Sequence, residues 1–232
     1  MFCTLTIYHE PVFRSAAMNM AIDEALLEYT VEPSIRFYRW NSPALSFGYF
    51  GRFADVAHYS GERDLVRRWT GGGIVLHGED LTYSLVLPAS ADAFAESTVS
   101  IYEQVHRALG NALLASGVAT QLNMVAAVCD RRVYAGLARP ERRYNHCFAQ
   151  PVQFDVVANG QKIAGAAQRR TRRGLLQQGS IQNVDLANDL AERFAQALSD
   201  KCNETVLDRR IVERAQEIAN QKYGTQRWLK KR

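Results

Sequence analysis

The chain has 232 residues, of which 47% are hydrophobic and 22% charged, a length that supplies one substantial core without requiring two domains. No apolar run approaches the roughly 20 residues needed to span a bilayer, and the N-terminus lacks the basic start and apolar stretch of a secretory signal. We therefore expect a cytoplasmic protein whose four cysteines are reduced thiols, with no membrane association.

Apolar periodicity and turn residues place the elements of the first half of the chain. Helices are expected where apolar residues recur every three to four positions, and strands where they alternate or run between Gly and Pro. On this basis the elements are, in order, a helix over 16–30, extended segments over 34–40, 44–50 and 65–69, a loop over 70–73, strands over 74–77 and 81–88, and a helix over 98–116.

Two connections in this half carry further predictions. The strands on either side of the short turn at 78–80 are predicted to pair as an antiparallel hairpin. The helix over 98–116 is predicted to be capped by Ser97 or Thr98 and to stop at Gly117.

The second half is predicted to contain more strands. Asn159-Gly160 is a strong two-residue hairpin turn, and 171–174 is predicted to form another. The expected order is an extended segment over 118–129, an irregular Arg-rich segment over 130–150, strands over 152–158, 161–169 and 175–181, and helices over 186–199 and 205–222. Helices covering a largely antiparallel or mixed sheet give an α/β or α+β fold.

Charge is unevenly distributed along the chain, whose formal net charge is +4. Residues 131–173 hold nine arginines and Lys162 against only Glu141 and Asp155. Such a basic segment is either a solvated face or a docking surface for an acidic partner or a phosphate-bearing ligand. Nucleic acid is disfavoured as that partner, because no helical or stacking motif accompanies the charge.

A glycine-rich loop is the first candidate functional segment. Gly71, Gly72 and Gly73 let the backbone approach a ligand closely and adopt positive φ. The same loop contains Thr70, and it is flanked by Arg68, which could clamp an anion, and by His77. The alternative interpretation is a tight turn with an ordinary core histidine, since the loop matches neither a Walker A nor a dinucleotide-binding fingerprint.

Lys162 is the second candidate, in the stretch KIAGAAQ. It is the only lysine in the first 200 residues of a chain with 23 arginines, which favours a need for a compact ammonium. Such a group could stabilise a developing oxyanion, while the small residues at 164–167, among them Gly165 and Ala166, would leave space over the strand for a ligand chain. The alternative is an exposed strand lysine.

Cys147 is the third candidate, in the stretch NHCFAQP. Positive neighbours favour the thiolate, which is the nucleophilic form of cysteine. The alternative is a small buried hydrophobic residue, which is the default expectation for any cysteine. The cysteines lack metal-ligand spacing, so no metal site is predicted.

Taken together, these motifs resemble the biotin/lipoate protein ligase and octanoyltransferase superfamily. The resemblance rests, in chain order, on NMAIDEALL, IRFYRWNSPALSFGYF, RRWTGGGIVLHGEDLTYS, KIAGAAQ, QQGSI and KYGTQRW. It implies a single catalytic domain over residues 1–232, without a C-terminal accessory domain, in which helices flank a central mixed, mainly antiparallel sheet. Cys147-Phe148-Ala149-Gln150-Pro151 is similar to an element of the cysteine-dependent octanoyltransferases, and the biotin-ligase signature is absent.

The resemblance implies an acyltransferase of protein lipoylation with Cys147 and Lys162 as catalytic residues. Arg68, Thr70, Gly71, Gly72, Gly73, His77, Gly165 and Ala166 would bind substrate. The donor would be an acyl carrier protein or an acylated lipoyl-domain protein. The acceptor would be the lipoyl domain of a glycine cleavage H protein or a 2-oxoacid dehydrogenase E2, and no cofactor would be required.

Two alternatives remain open at this point. The first is an ATP- and Mg²⁺-dependent lipoate-protein ligase catalytic domain whose accessory domain is a separate chain, with Cys147 structural. The second is a non-catalytic module that binds lipoyl domains through the basic segment. Dependence on ATP separates the first from the transferase, and turnover separates the second from both.

Overall fold

A large mixed sheet organises the computed structural model, which describes residues 1–124 and 151–231. Within these residues the large sheet has eight strands, in the spatial order β11 (Cys202–Thr205), β1 (Leu5–His9), β2 (Ser34–Tyr38), β6 (Leu81–Pro88), β10 (Gly174–Ile181), β9 (Gln161–Arg170), β8 (Val156–Ala158) and β7 (Gln121–Leu122). β11, β1 and β2 run parallel, and every later pairing is antiparallel. This confirms the predicted mixed, mainly antiparallel sheet.

Helices cover both faces of the large sheet, as its alternating side chains require. On β6, Leu85 and Leu87 pack in one core cluster with α2 (Thr98–Ala115) and α3 (Leu190–Leu198). Val86, between them, belongs to a second cluster with α1 (Ala16–Tyr29) and α4 (Arg209–Ile218) on the opposite face. The result is a three-layer α/β fold, in agreement with the predicted fold class.

A smaller sheet adjoins the α1 side. Within the described residues it has three strands, with β3 (Ala44–Phe47) between β4 (Asp64–Arg67) and β5 (Ile74–His77). β3 is parallel to β4 and antiparallel to β5. The glycine loop connects β4 to β5, so both ends of the loop are anchored in this sheet.

The predicted hairpin between 74–77 and 81–88 is wrong. β5 pairs with β3 in the small sheet, whereas β6 pairs with β2 and β10 in the large sheet. The turn at 78–80 therefore crosses between the sheets. A buried Asp80 carboxylate fixes this crossing, because it accepts hydrogen bonds from the Gly78 amide and from side chains of both sheets. Short-range sequence signals cannot distinguish such a crossing from a hairpin.

Turn and cap predictions are largely confirmed, whereas some element lengths are not. Ser97 caps α2, and Gly117 follows that helix with φ +87°. Asn159 and Gly160 connect β8 and β9 with φ values of 50° and 75°. The strand predicted over 152–158 begins only at Val156, after Phe154 with φ 68°.

The C-terminal elements also differ from their predictions. The helix predicted over 186–199 spans Leu190–Leu198, and the one predicted over 205–222 is α4 followed by a π-helical turn at Ala219–Tyr223. Neither β1 nor β11 was predicted from the sequence. The extended segment predicted over 118–129 contains only the two-residue β7 within its described part, and the segment 130–150 lies outside the described residues.

The C-terminal helix α5 (Gln226–Leu229) is attached to β4 by a buried arginine and was also not predicted. The Arg67 guanidinium donates to the carbonyl oxygens of Trp228, Leu229 and Lys231 at 3.0, 2.9 and 2.8 Å. In return, the Trp228 indole donates to the Arg67 carbonyl oxygen at 2.9 Å. Because charged donors make the stronger hydrogen bonds, this arginine holds the end of the chain against the small sheet.

Candidate active site

A cavity of about 450 Å³, a volume that includes its opening to solvent, lies where the two sheets meet. Apolar walls with a few polar groups are typical of small-molecule sites. The described lining residues are Met20, Tyr38, Trp40, Ser46, Arg68, Val75, His77, Thr82, Lys162, Gly165, Ala166, Ala167, Gln178, Gly179 and Ser180. Five of the predicted site residues are therefore brought together: Arg68, His77, Lys162, Gly165 and Ala166.

Lys162 is buried in the cavity wall, with 7% of its surface exposed. Its Nζ lies 2.8 Å from Oδ2 of Asp155, whose side chain is fully buried. A buried ammonium needs such a counterion, because desolvation of an unpaired charge costs several kcal/mol. The ion pair excludes the alternative interpretation of Lys162 as an exposed strand lysine.

Gly165 is required by the path of the Lys162 side chain. A Cβ atom at position 165 would lie 2.3 Å from Cε and 2.4 Å from Nζ of Lys162. The space predicted for a ligand over Gly165 thus holds the lysine itself, while Ala166 and Ala167 line the cavity. This close approach explains why KIAG combines a lysine with a glycine three residues later.

Two residues of α2 support Asp155, and sequence reasoning identified neither. The Tyr102 hydroxyl donates to Oδ1 of Asp155 at 2.6 Å. His106, one turn further along, makes a 2.8 Å hydrogen bond through Nδ1 to the Phe154 carbonyl oxygen. Burial lowers the pKa of His106 to about 4, so its ring is neutral near pH 7 and Nδ1 carries the donated hydrogen.

The glycine loop packs against β3 and is braced by Arg68. Gly72 has φ +84°, and a Cβ atom at Gly48 would lie 2.1 Å from the Gly72 carbonyl oxygen. The Arg68 guanidinium donates to the carbonyl oxygens of Gly71 and Gly73 at 3.1 and 2.8 Å. Arg68 therefore shapes the loop as well as lining the cavity, and its predicted contact with an anion stays a prediction.

His77 is held in the cavity wall by a directional chain of hydrogen bonds. The Asp80 carboxylate can only accept, so Nδ1 of His77 carries the hydrogen shared with it at 2.8 Å. In the neutral ring Nε2 then accepts from the Ser46 hydroxyl at 2.6 Å, and that hydroxyl accepts from Arg68, also at 2.6 Å. Burial lowers the pKa of His77 despite the nearby Asp80, which favours the neutral ring.

Thr70, at the start of the loop, belongs to a buried polar network that reaches α1. Its hydroxyl donates to Oε1 of Gln178 at 2.8 Å, and Nε2 of Gln178 donates to Asp23 at 2.7 Å. Asp23 also accepts hydrogen bonds from Arg36 at 2.8 Å and Ser84 at 2.7 Å. The NMAIDEALL and QQGSI motifs therefore meet in one network behind the glycine loop.

Cys147, the predicted nucleophile, lies outside the described residues, and so do Cys129 and His146. Of the other cysteines, Cys3 is exposed and Cys202 is half-buried. Burial, with Asp200 and Glu204 nearby, raises the pKa of the Cys202 thiol, which disfavours a nucleophilic thiolate there. The role of Cys147 stays a prediction.

Across residues 1–124 and 151–231, no group of three or more His, Cys, Asp or Glu side chains is arranged to hold a metal ion. None of the helices described there is long and apolar enough to cross a membrane.

Comparison with known sequences identifies relatives along most of the chain. The sequence model of the lipoyl protein ligase A/B catalytic domain matches residues 15–222. The octanoyltransferase LipM of Oceanobacillus iheyensis is 35% identical over 221 residues, covering 90% of this chain and 77% of that protein. The LipM of Staphylococcus epidermidis is 34% identical over 215 residues, covering 88% and 75% of the two chains.

Comparison with solved structures supports the same fold. Protein Ta0514 of T. acidophilum, solved with bound lipoic acid, has a TM-score of 0.73 at 22% identity, with 98% of each chain covered. A lipoate-protein ligase A bound with ATP has a TM-score of 0.73 at 22% identity and covers 99% of this chain and 98% of its own. At this level of identity the likeness establishes the architecture alone.

Proposed function

Because this chain belongs to the lipoyl protein ligase A/B catalytic domain family, we propose that it transfers an octanoyl or lipoyl group to a lysine of a lipoyl-carrying domain. This proposal rests mainly on the Lys162 ammonium, which is buried in the wall of a largely apolar cavity beside a glycine loop. Relatives named octanoyltransferase, at 34–35% identity over most of the chain, support this activity.

In the first step, Cys147 takes the acyl group from a thioester donor. Its thiolate attacks the carbonyl carbon, a C–S bond forms, and the carbonyl oxygen becomes an oxyanion. The Lys162 ammonium stabilises this charge, because a positioned cation in a water-poor site favours the transition state. Collapse of the intermediate releases the donor thiolate, which takes a proton from solvent, and leaves an acyl-enzyme.

In the second step, the neutral amine of the acceptor lysine attacks the Cys147 thioester. An amide bond forms, the Cys147 sulfur leaves as a thiolate, and the amine proton passes to solvent. Exchange of a thioester for an amide is downhill, so the reaction needs no ATP. The Met20, Trp40 and Val75 side chains provide apolar surface for the acyl chain.

The partners proposed for this reaction are those that the family resemblance implies. The donor is an acyl carrier protein or an acylated lipoyl-domain protein, and the acceptor is the lipoyl domain of a glycine cleavage H protein or an E2 subunit. The basic segment 131–173 favours encounter with acidic partners. A single catalytic domain over 1–232 and a cytoplasmic location both stay predictions.

The proposal is tested by mass spectrometry of the protein mixed with octanoyl carrier protein and no acceptor. We expect the protein mass to rise by one octanoyl group, and hydroxylamine to remove that group as it does a thioester. Cys147→Ser should abolish the mass shift, whereas the matched change Cys3→Ser, at an exposed thiol, should leave it unchanged.

An ATP-dependent ligase is the second candidate, and the same assay separates it from the transferase. A ligase would act on free lipoate or octanoate with ATP and Mg²⁺ and would survive Cys147→Ala. Turnover that requires ATP and is insensitive to that substitution would refute the transferase proposal. Binding of a lipoyl domain without any turnover would instead indicate a non-catalytic module.

A further inference from the structure

Within the cavity wall, one edge of β9 is hydrogen-bonded first to β8 and then, beyond the end of β8, to a side chain. β8 pairs with β9 only as far as Ala164, so Ala166 lies beyond the end of β8. There the Ala166 amide donates to the Tyr102 hydroxyl at 3.1 Å. A tyrosine side chain from α2 therefore accepts the hydrogen bond that, among the described strands, β8 is too short to accept.

The same hydroxyl also controls the counterion of Lys162. While accepting from Ala166, it donates to Oδ1 of Asp155 at 2.6 Å, and the other carboxylate oxygen lies 2.8 Å from Lys162 Nζ. One oxygen atom thus links the partner of the ammonium to the backbone of a cavity-lining residue. Burial, with the charge of Asp155, raises the pKa of Tyr102 far above its ordinary value, so the hydroxyl remains a donor.

His106 holds the backbone from which Asp155 projects. It lies four residues after Tyr102 on α2, a spacing that places both side chains on one helix face. Its ring bonds to the carbonyl oxygen of Phe154, whose φ of 68° lies in the left-handed region. The Val152 amide adds a 2.6 Å hydrogen bond to Oδ2 of Asp155. The orientation of this carboxylate is therefore fixed from several directions.

We propose that Tyr102 is a positioning residue for acyl transfer, acting through Asp155 to hold the Lys162 ammonium in a fixed relation to the cavity wall at Ala166. The inference rests on the proposed function, because it assumes that Lys162 stabilises the oxyanion. A misplacement of about 1 Å at such a group can reduce a rate by about a hundredfold. A change in the position of the Asp155 carboxylate is therefore expected to change the rate of acyl transfer.

The test is Tyr102→Phe, which removes one oxygen atom and keeps the ring against His106. We expect kcat for octanoyl transfer to fall between about tenfold and a hundredfold, with KM for the donor changed less than about twofold. Loss from kcat alone indicates an interaction that acts in the transition state. Unchanged kcat, or a raised KM with unchanged kcat, would overturn the proposal.

The chain offers a matched control in a second tyrosine–carboxylate–lysine group. The Tyr223 hydroxyl donates to Oε2 of Glu24 at 2.5 Å, and Lys222 Nζ lies 2.5 Å from the same oxygen. Among the described residues that line the cavity, none belongs to this group. Tyr223→Phe removes the same kind of hydrogen bond, and we expect wild-type kcat. An equal fall in kcat in both variants would assign the effect to general loss of structure.

Lysine ammonium NMR provides a readout that does not depend on turnover. The chain has five lysines, so a ¹⁵N-lysine sample gives at most five ammonium signals. Tyr102→Phe should shift the Lys162 signal and Tyr223→Phe the Lys222 signal, each assigned by its absence in the corresponding Lys→Arg variant. A Lys162 signal that does not respond to Tyr102→Phe would contradict coupling through Asp155.

Two further variants keep the outcomes distinguishable. Asp155→Glu retains the charge but displaces it by one methylene, and we expect the same selective fall in kcat. It replaces Tyr102→Phe should that variant not fold. Wild-type transfer by Lys162→Ala would refute the role of Lys162 in the proposed function. Loss of transfer in Lys162→Ala combined with normal Tyr102→Phe would refute only the positioning role.

Discussion

Lys162 contributes both to chemistry and to the fold, and its removal should show both effects. We expect Lys162→Ala to abolish octanoyl transfer, because the oxyanion loses its cation. Breaking a buried ion pair leaves an uncompensated charge on Asp155, so the free energy of unfolding should also fall by roughly 3–5 kcal/mol. Acyl-transfer assays and urea denaturation measure the two effects separately.

Replacement of Lys162 by arginine tests whether the shape of the cation matters as well as its charge. Lys162→Arg keeps the charge, but the guanidinium is planar and larger, and Lys162 already fills the space over Gly165. We expect transfer to be lost in this variant as well. Lys201→Ala, at an exposed lysine, is the control and should retain both activity and stability. Wild-type transfer in Lys162→Arg would mean that only charge, not shape, matters there.

His106 makes stability depend on pH. Its folded pKa of about 4 lies below the ordinary value of 6.5, because the buried ring disfavours charge. The unfolded chain therefore binds a proton first as the pH falls. The stability contributed by the neutral ring is fully present above about pH 6.5 and is lost toward pH 4. Between pH 7 and pH 5 the loss should amount to about 2 kcal/mol.

His106→Gln tests this dependence by removing the titrating ring while keeping a donor for the Phe154 carbonyl. Its stability should fall less between pH 7 and pH 5 than that of the wild type. Part of the dependence should remain, since the pKa of His77 is also lowered by burial. His58→Gln, at an exposed histidine, should behave as the wild type. Identical pH profiles for all three proteins would contradict the assignment.

At the scale of elements, the conformation of the glycine loop should affect transfer. Gly72→Val should reduce transfer more than it reduces stability. A β-branched side chain is strained at φ +84°, and it would shift the loop whose carbonyl oxygens hold Arg68, a residue that lines the cavity. Measurement of KM for the donor, together with thermal unfolding, separates the two contributions.

Gly61→Ala provides the control for the loop substitution. A Cβ atom at Gly61 meets nothing within 4 Å, so both activity and melting temperature should stay at wild-type values. Should Gly72→Val turn over normally, the loop would be a turn without a role in substrate binding.

Elements were predictable where local signals and tertiary packing agree. The caps of α2 and the Asn159-Gly160 turn depend on neighbouring residues, and both were predicted correctly. The failed hairpin at 78–80 depends instead on Asp80, whose partners include Ser180, one hundred residues away. Strand pairing across that distance leaves no local signature.

The site was predictable only in part, because local sequence signals identified some of its residues and not others. Family motifs and residue type located Lys162, and the structure brings it together with Arg68 and His77 around one cavity. Asp155 was not singled out, because a buried counterion looks like any surface acid in a sequence. Its isolation in the basic segment was the available signal, since it is the only acidic residue between 142 and 184. The sequence contains no comparable signal for Tyr102.

At the scale of the whole molecule, charge should control encounter with partner proteins. Reversing Arg139, Arg142 and Arg143, which lie outside the described residues, should slow association with the acidic carrier and change the bound complex less. For the wild type, kcat/KM should fall as ionic strength rises, because salt screens long-range attraction. Stopped-flow association rates at several salt concentrations measure both effects.

A charge reversal outside the basic segment is the control for this prediction. Arg209 lies on α4, and 89% of its side chain is exposed. Arg209→Glu changes the net charge as much as any single reversal within the segment, yet it should affect association less. If the rate is indifferent to salt and to the position of the reversed charge, the basic segment is a solvated face.

The hydrogen bonds from Arg67 to the carbonyl oxygens of Trp228, Leu229 and Lys231 affect the order in which the fold can form during translation. A ribosome releases the chain from its N-terminus, so β4 emerges long before residues 228–231. The hydrogen bonds from Arg67 can form only after those residues have left the exit tunnel. Because the acceptors at 228, 229 and 231 are main-chain oxygens, the Arg67 hydrogen bonds constrain the path of this segment. The residue type at 228 is constrained as well, since the Trp228 indole donates to the Arg67 carbonyl oxygen.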